Sequence, residues 1–179
     1  MKKILLLILI ILSFNSCSVF NSFRITKQYP NIEHDFIQYI DYFVVSSDGK
    51  VTWDDFDNFT MGFSQYPSDS NVIGTCYPLL NEVSINQDWW EYSSTPNKRL
   101  AVVFHELGHC ILKRNHTAMP DNDGFVHILE TIAFKFGFLK EKSTIKDGCP
   151  ASIMNPVVLS DECLDWHYRY YIKELFNNN

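Results

Sequence analysis

Apolar residues recur at helical spacing near the start of the folded region. Ile32, Phe36, Ile37 and Ile40, with Phe43 just beyond, fall on one face, so the spacing predicts a first amphipathic helix over Ile32 to Tyr42. Asp48-Gly49 marks a turn, and Lys50–Trp53 and Phe59–Phe63 follow as β-prone segments. Two more strand-like segments are Asn71–Tyr77 and Glu82–Asn86, separated by Pro78 and a short loop. In the second, Val83 and Ile85 alternate with polar neighbours, as in a half-buried strand. Ser93-Ser94-Thr95-Pro96 then supplies capping residues and a proline suited to a helix's first turn, ahead of Leu100 to Leu112, which is apolar on one side. Phe125, Leu129, Ile132 and Phe136 share a helical face over Phe125–Leu139, although Phe134, Phe136 and Phe138 also alternate with period two. Gly148–Pro156 is rich in turn residues, and Asp161–Phe176 reads as a closing amphipathic helix. This mixture of short strands and helices predicts an α+β fold in one domain, residues 31–179.

The N-terminus has a different pattern. Lys2-Lys3 precede nine apolar residues from Ile4 to Leu12, then small and polar residues up to Cys17. That is the layout of a secretory signal peptide over residues 1–16, and its apolar run is too short to span a bilayer as a permanent helix. Cys17, between Ser16 and Ser18, resembles the lipidated cysteine of a bacterial lipoprotein, with Phe14 and Asn15 departing from the usual lipobox. The expectation is export, with a membrane anchor at Cys17 and residues 17–30 as a lipidated tether, or simple cleavage and secretion.

Composition narrows the classes. Hydrophobic residues at 46% and charged residues at 20% describe an ordinary globular chain rather than a disordered one. A net charge of −6, which deepens once Lys2 and Lys3 are removed with the leader, leaves no basic surface to offset phosphate repulsion, so nucleic acid is not an expected partner. Beyond Cys17 there are four cysteines: Cys76, Cys110, Cys149 and Cys163. Their even number in an oxidising compartment suggests two disulfides, with three connectivities open, and no CxxC spacing points to a cysteine-built metal site. The stretch SDGKVTWDDF looks like the back half of a calcium-binding loop. Val44, however, stands at the first ligand position and Asp55 at that of the bidentate glutamate, so a plain turn is expected.

The chemistry is concentrated in His105-Glu106-Leu107-Gly108-His109. Residues four apart project from one helix face, so His105 and His109 can bind one metal ion, while Glu106 stands beside that ion without binding it. This is the place for a general base acting on a water that zinc activates. Val102-Val103-Phe104 bury the helix, where two histidines and a glutamate would be costly without an ion. A catalytic zinc needs a third protein ligand, and His116 is the candidate. On an unbroken helix it would lie roughly 10 Å beyond His109. The helix is therefore expected to break between Cys110 and His116, with Asn115 taking the left-handed conformation and Lys113 and Arg114 in the last turn.

The segment HELGHCILKRNH resembles the zinc-binding HExxHxxGxxH sequence of the metzincin metallopeptidases, with Leu112 at the glycine position and the last histidine one residue later. It is also similar to small bacterial metallopeptidase-like lipoproteins that carry a HELGHC core. Ser152-Ile153-Met154-Asn155-Pro156 resembles the metzincin methionine turn, and the layout of NVIGTCYP before NEVSINQDWW is similar to the matrixin branch. The resemblance implies a metzincin-like zincin: a small twisted mixed sheet, mostly parallel, a backing helix, the active-site helix, the Met-turn and a C-terminal helix. It further implies that Met154 floors the three histidines. An extended peptide substrate would lie along an edge strand at Val72, Ile73, Gly74 and Thr75. No tyrosine follows two residues after Met154, so a tyrosine ligand is not expected, nor is a sizeable propeptide.

The function expected on these grounds is zinc-dependent endopeptidase. One alternative is a thermolysin-like site with Glu130 as third ligand; another is a non-catalytic, zinc-stabilised peptide-binding lipoprotein. His34 and His167 are read as surface or packing residues, and His127 as packing. Cleavage specificity is not legible, since the long segment between His116 and Met154 has no counterpart to guide it.

Overall fold

The structure, a computed structural model, describes residues 28–67, 69–117 and 148–177. The expected signal peptide, Cys17, and the expected helix over Phe125–Leu139 with His127 and Glu130 fall on residues outside that range.

The first helix, α1 (His34–Ser46), buries Phe36, Ile37, Ile40 and Phe43, the face that the spacing predicts. It ends at Ser47, whose hydroxyl accepts from Val51 N at 3.0 Å, and the chain turns through Asp48 and Gly49 at φ 53° and 80°. The β-prone Lys50–Trp53 segment is not a strand. A 3₁₀ turn over Trp53–Phe56 takes its place, started by a capping box in which Asp55 accepts from Thr52 N at 2.7 Å. Local side-chain bonding of this kind competes with extended backbone. It also leaves Asp55 serving as a cap within a plain turn.

Strands β1 (Thr60–Ser64), β2 (Gly74–Tyr77) and β3 (Glu82–Asn86) form a mixed three-stranded sheet in the order β1-β3-β2. β3 pairs parallel with β1 and antiparallel with β2, Cys76 facing Val83 and Thr75 facing Ser84. One pairing is therefore parallel and one antiparallel, since a short turn with Asn81 at φ 50° returns the chain from β2 directly into β3. Strand structure begins only at Gly74; Val72 and Ile73 are held by their carbonyls, which accept from Asn86 Nδ2 and N at 3.0 and 2.8 Å.

A short helix absent from the sequence expectation, α2 (Gln87–Tyr92), follows β3 at once, with the Asn86 side chain accepting from Trp89 N. Six residues are too few to show a helical period, so the element is invisible to pattern reading. Helix α3 (Pro96–Cys110) starts with Thr95 accepting from Lys98 N and with Pro96 in the first turn. It packs against α1, β2, β3 and the last helix, α4 (Asp161–Asn177). Ala101, Val102, Val103, Phe104, Leu107 and Gly108 are all buried, so α3 runs through the core. Phe104 meets Phe43 edge-on at 5.0 Å, and Phe43 in turn meets Phe176 of α4 at 4.9 Å.

Two disulfides resolve the open connectivity: Cys76–Cys110 and Cys149–Cys163. The first ties edge strand β2 to the C-terminal end of α3. The second ties the start of the Gly148–Pro156 segment to α4. Among the described residues no helix is long and apolar enough to cross a membrane.

Candidate metal centre and its cleft

Helix α3 ends at Cys110, and the chain then breaks away as the placement of His116 requires. Lys113, at φ 56°, takes the left-handed conformation that was expected of Asn115. Both Lys113 and Arg114 lie past the helix and not in its last turn. The Lys113 ammonium donates to Cys110 O at 2.6 Å, and Ile111 N, Leu112 N and Arg114 N bond to Leu107 O, Leu107 O and Gly108 O. The orphan carbonyls of the helix end are thus met by the loop that reverses the chain.

This reversal brings His116 against the helix. The Nε2 atoms of His105, His109 and His116 form a triangle with sides of 3.0, 3.1 and 3.1 Å. Among the described residues these three are the group able to hold a metal ion.

The protonation pattern fits a cation. His105 Nδ1 lies 2.8 Å from Ile153 O, and His109 Nδ1 lies 2.6 Å from Arg114 O. A carbonyl oxygen only accepts, so in both neutral rings the proton is on Nδ1 and Nε2 carries a bare lone pair. Two such lone pairs facing each other at 3.1 Å repel unless a positive charge lies between them. Burial also holds the rings neutral. The His105 pKa is lowered to about 3, first by desolvation and then by the neighbouring His109 and His116, against the bond to Ile153. The His109 pKa is lowered too, mainly by desolvation, with the Arg114 carbonyl opposing it.

Glu106 lies next to the histidine-bearing face, under the edge strand and in the same cleft. Its carboxyl is pushed up to about 7 by burial, against a backbone hydrogen bond from Cys76. Gly74 makes room for it: a Cβ on Gly74 would stand 2.9 Å from both Glu106 Cγ and Oε1. Met154 is fully buried beneath the histidine-bearing turn of α3. A Cβ on Gly108 would overlap its sulfur, so the glycine between Glu106 and His109 is what lets the 152–156 segment close on the helix.

The three histidines and Glu106 line a cleft of about 360 Å³. One wall is the edge segment Asn71–Cys76, which includes Val72, Ile73, Gly74 and Thr75. The opposite wall is Ile153 with Asn155–Leu159. His34 and His167 stand apart on α1 and α4, as expected, and do not join the cluster.

Sequence reading missed what supports the cluster. Glu174, buried on α4, bonds through one oxygen to Arg114 Nη2 at 2.5 Å and through the other to Ser152 Oγ at 2.7 Å. These residues are far apart along the chain, and no motif connects them.

No protein-family model, curated protein or solved structure matches the chain.

Proposed function

We propose that this chain is an exported zinc-dependent endopeptidase of metzincin-like architecture. The observation that carries the reading is the convergence of His105, His109 and His116 nitrogens in one corner of an open cleft that Glu106 also lines. Three imidazoles suit zinc, whose tetrahedral ligand nitrogens at bond lengths of ~2.0–2.1 Å would stand about 3.3 Å apart. The triangle here is tighter by a few tenths of an ångström, a difference that small ring rotations absorb. Zinc bound there would polarise a scissile carbonyl and make water a competent nucleophile near neutral pH.

The chain's own groups then have distinct tasks. Glu106, with its pKa raised towards neutrality, takes a proton from the attacking water and passes it to the leaving amine. The edge of β2 aligns an extended peptide by backbone hydrogen bonds, as sheet edges commonly do. Ile153 and Val157–Leu159 supply apolar cover on the far wall. Met154, packed beneath the helix by way of Gly108, supports the likeness to a methionine turn. Because His116 supplies a third nitrogen, the site is complete without Glu130. Two disulfides agree with folding in an oxidising compartment and so with export, and Cys17 is the proposed lipid anchor.

The test is hydrolysis of a peptide library by the zinc-loaded mature chain. Glu106→Ala is expected to lower kcat by at least ~10²-fold while zinc stays bound. Full turnover in that variant would reject the mechanism. Stoichiometric zinc without any wild-type hydrolysis would leave the non-catalytic, peptide-binding reading standing instead.

A further inference from the structure

A single buried carboxylate links the two segments that hold the histidine rings in place. Its first oxygen pairs with Arg114 Nη2, in an ion pair whose side chains are only 8% and 7% exposed. The same guanidinium donates through Nη1 to Glu174 O and Leu175 O at 3.1 and 3.0 Å, closing the C-terminal turn of α4. Its second oxygen accepts from Ser152 Oγ, which in turn accepts from Met154 N at 2.9 Å. Thr117 N also donates to Met154 O at 3.3 Å, so the two segments meet directly as well.

Each of the two segments presents one carbonyl to the metal centre. Arg114, whose side chain Glu174 holds, gives its own backbone oxygen to His109 Nδ1. Ile153, between Ser152 and Met154, gives its oxygen to His105 Nδ1. We propose that Glu174 is the positioning residue of the metal centre: by fixing Arg114 and Ser152 at once, it aims the two carbonyls that set the tautomer and direction of His109 and His105. The inference rests on the metal-site reading above, though not on peptidase activity.

A carboxylate suits the task because it engages a different partner through each oxygen, and one partner is a guanidinium that no uncharged group can neutralise. Outer partners of metal-binding histidines commonly carry weight of this kind: their loss costs roughly 10–100-fold in metal affinity.

The experiment uses the full mature chain and zinc itself as probe, with affinity read by competition against a chromophoric chelator. The histidine tautomers of the metal-free protein are read by long-range ¹H–¹⁵N correlation. Glu174→Gln keeps the shape and removes the charge. Ser152→Ala removes one arm of Glu174 together with the bond from Met154 N, leaves the Arg114 arm, and covers the case in which Glu174→Gln fails to fold. Tyr29→Phe, which loses a hydrogen bond to Trp53 O far from the site, controls for general loss of stability. Expected are a loss of zinc affinity of at least about 10-fold in the folded Glu174 or Ser152 variant, and mixed tautomers at His105 and His109 where the wild type has Nδ1–H. The control should change neither. Wild-type affinity and unmixed tautomers in the folded variants would overturn the proposal. A wild type that binds zinc and cleaves nothing would sink the peptidase reading and leave this inference intact; one that binds no zinc would sink the metal site, and the tautomers alone would then decide the role of Glu174.

Discussion

His105 and Glu106 are neighbours in sequence and answer burial in opposite ways. Without metal, the depressed pKa of His105 means that the unfolded chain takes up a proton the native state refuses as pH falls below 6.5. Its stabilising contribution is full above 6.5 and lost by about pH 3. Glu106 has the reverse sign: the native state keeps a proton that the unfolded chain releases above 4.5, so stability declines as pH rises from 4.5 to about 7. The two slopes oppose each other between 4.5 and 6.5. Replacing Glu106 by Gln removes one of them. The metal-free Glu106→Gln protein is therefore expected to match the wild type near pH 4 and to exceed it by up to about 3 kcal/mol above pH 7. Urea unfolding in the presence of chelator measures this, and a difference that does not change with pH would contradict it. Removing a charge under an edge strand thus stabilises the fold while removing the proposed base, the trade expected of a functional group kept at a cost.

At the scale of elements, the contact that matters most is between α3 and the 152–156 segment. Gly108 and Met154 meet with no space for a methyl group. Gly108→Ala is expected to lower stability by about 1–3 kcal/mol through overpacking, and to weaken metal binding, because pushing Met154 away also moves the Ile153 carbonyl off His105. Thermal unfolding with and without zinc checks both halves, and a fully stable variant with unchanged metal affinity would refute the close-packing argument. The same scale shows why some elements were readable. α1 and α3 announce themselves through apolar spacing and through Thr95-Pro96, which act locally. Lys50–Trp53 misled because its residues favour strands while the neighbouring Ser47 and Asp55 side chains claim its backbone. Asn115 misled in a similar way. Asparagine tolerates the left-handed conformation best, yet the position is fixed by where the helix-ending carbonyls need donors, and that falls on Lys113.

Over the whole molecule, the cation is expected to act as a staple. It would join α3 to the loop carrying His116, which is joined through Arg114 to α4 and through Thr117 to the 152–156 segment. A ligand that binds only the native state at 100 times its Kd adds about 2.7 kcal/mol. For a domain of this size that corresponds to a rise in Tm of about 5–10 °C. Zinc should produce this rise and a chelator should abolish it, while His116→Ala should show neither. An unchanged zinc response in His116→Ala would transfer the third-ligand role elsewhere, with Glu130 the first residue to examine.

What the chain determined by itself is local. The four-residue spacing of His105 and His109, the intervening Glu106, the capped start of α3 and the alternation in β3 all follow from periods that a helix or strand imposes within a few residues. The need for a chain reversal before His116 was also legible, because helix rise sets the distance it must overcome. Tertiary structure decided everything that depends on which distant groups meet. It chose Cys76–Cys110 over the other pairings, put Gly74 over Glu106, and brought Glu174 between Arg114 and Ser152. Such choices rest on burial and on satisfying polar groups once water is excluded, and those conditions exist only after the helices and the sheet have packed.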